Sequence, residues 1–126
     1  MGRLIVSLMA AGWAGLAAAQ DLDEVAASFR LDDGAALVTV CTVPAGDPLH
    51  DSANGFCLGY MTGAMELYRA ATASPNIPNA VCAEREIPRA EMRAIFLDWA
   101  EDHPEHLSEP AIDALLRAAV AAFPCT

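Results

Sequence analysis

The chain has 126 residues, 55% of them hydrophobic, and carries 17 acidic against 7 basic residues for a formal net charge of −10. All the basic residues are arginines, and a protein this acidic does not hold nucleic acid or an anionic lipid surface by general electrostatics. The length fits one domain, whose core is marginal without covalent help.

Met1 to Gln20 reads as a secretory signal. Arg3 supplies the positive start, Leu4 to Leu16 the apolar run, and Ala17-Ala18-Ala19 the small residues of a cleavage site before Gln20. The apolar run is short for a membrane span, and Asp21, Asp23 and Glu24 follow it at once. No cysteine stands at the cleavage site to carry a lipid. The expectation is a signal peptide at 1–19 and a single domain at 20–126. That domain is periplasmic or secreted, with no membrane attachment after cleavage. Cleavage removes Arg3, the only charged residue of the leader, so the mature chain is one unit more negative.

Cys41, Cys57, Cys82 and Cys125 all lie in the mature part. An even cysteine number in a small exported chain predicts two disulfides, each worth about 2–4 kcal/mol. No CxxC pair is present, which argues against a metal–thiolate centre.

In chain order, Asp21 to Arg30 is polar-led and long enough for one or two helical turns. Asp32 and Asp33 can cap a short helix through Leu37, Val38 and Cys41, which Val43-Pro-Ala-Gly ends. Asp47 before Pro48 has the form of an N-cap followed by proline at the first helical position. It opens a long central helix ending near Thr72. Ser74-Pro-Asn-Ile-Pro-Asn breaks the chain, and residues 73–87 form a connection too long for a tight helical hairpin. Pro88 starts the next helix, with Met92, Ile95, Phe96 and Trp99 on one face. Asp102-His-Pro-Glu-His interrupts it. Ser108 caps the last helix, with Leu107 and Ile112 as a staple across its start, and Pro124-Cys125 ends it. No segment alternates as a strand does. The fold class is all-α, a small disulfide-stapled bundle of about four helices.

The central helix holds the run GFCLGYMTGAMELY, in which Gly55, Gly59 and Gly63 recur every four residues. Each glycine costs about 1 kcal/mol against alanine inside a helix, so three of them need a return. The return expected is helix packing, the close approach of another helix along the ridge.

Candidate chemistry is sparse. His50, His103 and His106 would permit a Cys–His pair, but cysteines in an oxidising compartment are bonded rather than nucleophilic. His103 and His106 beside Glu101, Asp102 and Glu105 are of metal-ligating type. Pro104 between them breaks helical geometry, and the same residues make an ordinary solvated turn. The chain has no glycine-rich phosphate loop and no serine elbow. The expectations are no enzymatic activity, no metal and no cofactor.

Several pieces stand in a recognisable order: Leu37-Val-Thr-Val-Cys41, Phe56-Cys-Leu-Gly-Tyr-Met-Thr-Gly63, Cys82, Asp102-His-Pro-Glu-His-Leu107 with Glu109-Pro-Ala111, and Ala122-Phe-Pro-Cys125. With these the chain resembles the Rap/Tai family of type VI secretion immunity proteins, from about Asp33 to the end. One departure is Glu84, where the family usually carries proline two residues after the third cysteine. The resemblance implies a small helical periplasmic protein, often a homodimer. Such a protein binds and inhibits a peptidoglycan-degrading amidase effector by occluding its cleft with an inter-helical loop. Glu101, Asp102, His103, Glu105 and His106 form the candidate partner-binding loop. The competing expectations are a periplasmic chaperone of the acid-stress type and a structural protein of the envelope.

Four cysteines allow three pairings. Cys41 and Cys57 lie near one end of the bundle. If the connection after Thr72 stays at the far end, Cys82 and Cys125 must pair there. If it returns along the central helix, long-range bridges become open. The pairing favoured is Cys41–Cys82 with Cys57–Cys125, which ties more helices together and agrees with a similarity to acid-stress chaperones.

Overall fold

The computed structural model describes residues 29–126. The signal-peptide reading of residues 1–19 and the expected turns over Asp21 to Ser28 lie outside the described residues.

Four α-helices make up the architecture: α1 (Gly34–Cys41), α2 (His50–Thr72), α3 (Arg89–Asp102) and α4 (Ala111–Ala122), with a 3-10 turn at Pro104–His106 between the last two. The all-α expectation holds. The helices bury one common core, to which each contributes. Leu37 and Val40 of α1, Cys57 and Met61 of α2, Phe96 of α3 and Leu115 of α4 are its largest fully buried side chains. Burial of a large apolar side chain stabilises by about 1.5–3 kcal/mol. These residues therefore fix how the helices dock.

Local chemistry sets most boundaries. The Asp33 carboxylate accepts from the Ala36 backbone N–H at 2.8 Å, the N-cap expected for α1. Asp47 accepts from the Leu49 N–H at 2.8 Å, but as a turn before the helix, which begins at His50. α2 ends at Thr72 as expected, and Pro88 precedes the first residue of α3. Ser108 does not cap the last helix. Pro110, with φ −49° and ψ 140°, stands at its start, and the helix begins at Ala111. Proline disfavours helical geometry in the residue before it, so the helix cannot reach back to Ser108.

The disulfides correct the favoured pairing. Cys41 bonds Cys57 with Cα atoms 5.2 Å apart, and Cys82 bonds Cys125 with Cα atoms 4.9 Å apart. The reason is that the connection after α2 does not return. The Tyr68 hydroxyl holds it at the far end, accepting from the backbone N–H groups of Ala80 at 2.7 Å and Val81 at 3.1 Å. The same hydroxyl donates to Asn79 Oδ1 at 2.9 Å. The Cys82 N–H then donates to the Phe123 carbonyl at 2.8 Å, beside an isolated antiparallel bridge between Val81 and Pro124. All four cysteines are bonded, as the even count implied.

The glycine ridge also differs from expectation. Among the described residues, a Cβ at Gly55, Gly59 or Gly63 would meet no atom within 4 Å. Neither α1, α3 nor α4 approaches the ridge. The core side of α2 is the stripe Ala53, Cys57, Met61 and Ala64. The glycine at which elements do meet closely is Gly34. A Cβ there would lie 3.0 Å from the Ala114 Cβ and 3.3 Å from the Leu107 backbone.

Candidate protein-binding turn

The residues singled out between Glu101 and His106 fall at one corner of the bundle. Glu101 and Asp102 are exposed on the last turn of α3, His103 follows it, and Glu105 and His106 belong to the 3-10 turn. The structure brings His103 and His106 together, and it adds Trp99, Glu109 and Arg117 to them.

Trp99 is the organiser. His103 Nδ1 donates to the Trp99 carbonyl at 2.8 Å, which puts the proton on that nitrogen. The His103 ring stacks on the indole with centroids 4.7 Å apart and planes at 11°. The His106 ring stacks on it too, at 5.8 Å and 18°. The His103–His106 centroids are 6.3 Å apart, so the three rings form a triangle rather than a sandwich. The i, i+4 spacing of Trp99 and His103 was the signal available for the first contact.

Charge locks the other side. His106 Nδ1 lies 2.8 Å from one Glu109 carboxylate oxygen, and Arg117 Nε donates to the other at 2.6 Å. Glu105 stands 3.7 Å from His106 Nε2. The Arg117 hydrogen bond, followed by the one from His106, holds the Glu109 carboxyl below the usual glutamate range. Among the described residues no group of three or more His, Cys, Asp or Glu side chains is placed to hold a metal ion.

The backbone under the turn is equally constrained. The N–H groups of His106, Leu107 and Glu109 donate to the carbonyls of His103, Pro104 and His106 at 3.1–3.2 Å. Gly34 N–H donates to the Glu109 carbonyl at 2.9 Å and Ala35 N–H to the Leu107 carbonyl at 3.0 Å. The free N–H groups at the start of α1 thus clasp the turn from below, and Gly34 permits the approach. Pro104 and Pro110 fix φ within the turn. What projects is a rigid acidic knob. Beside it a shallow concavity of about 560 Å³ runs along Trp99, His103, His106, Leu116 and Val120.

A rigid projection with a half-buried tryptophan suits protein recognition, because little conformational entropy is lost on binding and aromatic anchors carry much of an interface's energy. Sequence reasoning found the turn, but missed Glu109 and Arg117 as the pair that fastens it. It also missed a second concavity of about 480 Å³ at the far end, between α2 and the 73–88 connection, lined by Met65, Tyr68, Arg69, Arg85, Ile87 and Phe123 among others. No described helix is long and apolar enough to cross a membrane.

No curated protein and no solved structure matches the chain. The family model described as Rap1a immunity proteins matches residues 33–125, which spans all four helices, both disulfides and the turn. The chain belongs to the Rap1a family of immunity proteins.

Proposed function

We propose that the chain is an exported, non-catalytic immunity protein that neutralises a peptidoglycan-degrading amidase effector in the periplasm by seating the α3–α4 turn in its cleft. The observation that carries this reading is the preorganised turn itself: an acidic, proline-braced projection on a stacked Trp99–His103–His106 base. Family membership supports the immunity role. Two disulfides suit an oxidising compartment outside the cytoplasm. The homodimer implied by the resemblance would present two such turns per particle, which light scattering would reveal.

The test pairs the mature protein with purified peptidoglycan amidase effectors and follows peptidoglycan hydrolysis as inhibitor is added. Stoichiometric inhibition is expected. Trp99→Ala and Glu105→Arg should each weaken binding by at least ten-fold, about 1.4 kcal/mol, while the fold is kept. Full inhibition by both variants would remove the turn from the interface. General suppression of aggregation of unrelated proteins, in place of inhibition, would move the chain to the chaperone class.

A further inference from the structure

We propose that the concavity between the end of α2 and the 73–88 connection binds a small carboxylate that carries an apolar tail. The cavity holds about 480 Å³, within the range of small-molecule sites. Met92, near the start of α3, and Phe123, just past the end of α4, both line it. The turn joins the opposite ends of those two helices, so this is a separate site.

The lining provides for the tail. Met65, Val81 and Ile87 pack against the core on one side and face the cavity on the other, over buried Met92. The two methionine thioethers can adapt to the shape of an apolar chain. The walls stand before any ligand arrives. The Cys82–Cys125 disulfide ties the connection to the end of the chain, and the Cys82 N–H donates to the Phe123 carbonyl at 2.8 Å. A site fixed in this way loses little entropy on binding.

Charge selects the head group. The lining carries Arg69 and Arg85 against a single acid, Glu86, in a chain of formal charge −10. Arg85 is already held by both carboxylate oxygens of Glu91. Arg69 forms no ion pair among the described residues. The hydroxyls beside it are spent: Tyr68 on Asn79, Ala80 and Val81, and Thr72 on the Tyr68 carbonyl at 2.9 Å. The Arg69 guanidinium is therefore the cation left for a ligand, and its planar fork matches a carboxylate. One such cation above an apolar lining fits a monoanion with a tail, whereas a sugar or a phosphate calls for several polar partners.

The experiment titrates the mature, disulfide-bonded chain with two probes, decanoate and a short leucine-ended peptide with a free carboxylate, and follows it by NMR. Decanol and acetate are the controls for head and tail. At least one probe should bind with Kd below about 1 mM. It should move the resonances of Met65, Ile87 and Met92 and leave those of Trp99 and His103 in place. The tighter of the two probes identifies the source of the carboxylate. Arg69 is exposed, so Arg69→Gln keeps the fold and should weaken binding by roughly five-fold. Added salt should narrow that gap. The proposal is overturned if neither probe moves these resonances, or if the shifts gather at the turn instead. Decanol binding as tightly as decanoate would overturn it too, as would an Arg69→Gln protein of unchanged affinity.

Discussion

Removing the two disulfides separately tests how burial weighs against loop length. Cys82–Cys125 closes a sequence separation of 43 and Cys41–Cys57 one of 16. Loop-closure entropy alone assigns about 4 kcal/mol to the first and about 3 kcal/mol to the second. The surroundings reverse that order. Cys57 is 0% exposed and Cys41 8%, so Cys41→Ala with Cys57→Ala also opens two methyl-sized voids in the core. At about 1 kcal/mol for each void, the total becomes about 5 kcal/mol. Cys82 and Cys125 are exposed and leave no void. Equilibrium urea unfolding of the two double variants, with m-values checked for constancy, measures both losses. The Cys41/Cys57 variant should be the less stable by about 1 kcal/mol. A larger loss for the Cys82/Cys125 variant would refute the reasoning and leave loop length in command.

Gly34→Val should cost about 1–3 kcal/mol in urea melts through overpacking against Ala114, and Ala114→Gly should recover part of it. Tyr68→Phe should cost about 1 kcal/mol and speed proteolytic nicking of residues 73–87, because the hydroxyl that anchors Asn79, Ala80 and Val81 is lost. Glu109 has a folded-state pKa below its unfolded one, so its stabilising contribution is full above the ordinary glutamate value and disappears as pH falls through the lower folded value. An NMR titration of the Glu109 carboxyl should give a midpoint below that of a model glutamate, and Arg117→Ala should move it back up. An unshifted midpoint in the unaltered protein would break the assignment.

Much of the helical layout was legible because it rests on local signals. Asp33 caps α1, Ser74-Pro breaks the chain after α2, and Pro88 opens α3. The misreadings of the glycine stripe and of the cysteine pairing share one cause, which is that periodicity does not give direction. Residues 52–65 are uncharged on all sides, so nothing local said whether the glycines or the Ala53–Cys57–Met61 stripe would turn inward. The disulfide and Met61 settled it by volume. The connection at 73–87 could run either way along α2 until a single hydroxyl, Tyr68, fixed it at the far end and thereby chose the cysteine partners. For the turn, the histidines and acids were visible as a cluster. Their fastening to Arg117 depended on how α4 docks, and that lies beyond local spacing.

The clasp between α1 and the turn also bears on how the molecule opens. Amides in the first turn of a helix ordinarily exchange with solvent early, because they have no partner inside the helix. Gly34 and Ala35 instead donate to carbonyls more than seventy positions away in sequence, so their hydrogens are released only when the two ends of the chain separate. In a deuterium-exchange experiment these two amides should rank with the slowest of the core. Their protection would then report directly on whether the α3–α4 corner keeps its folded shape.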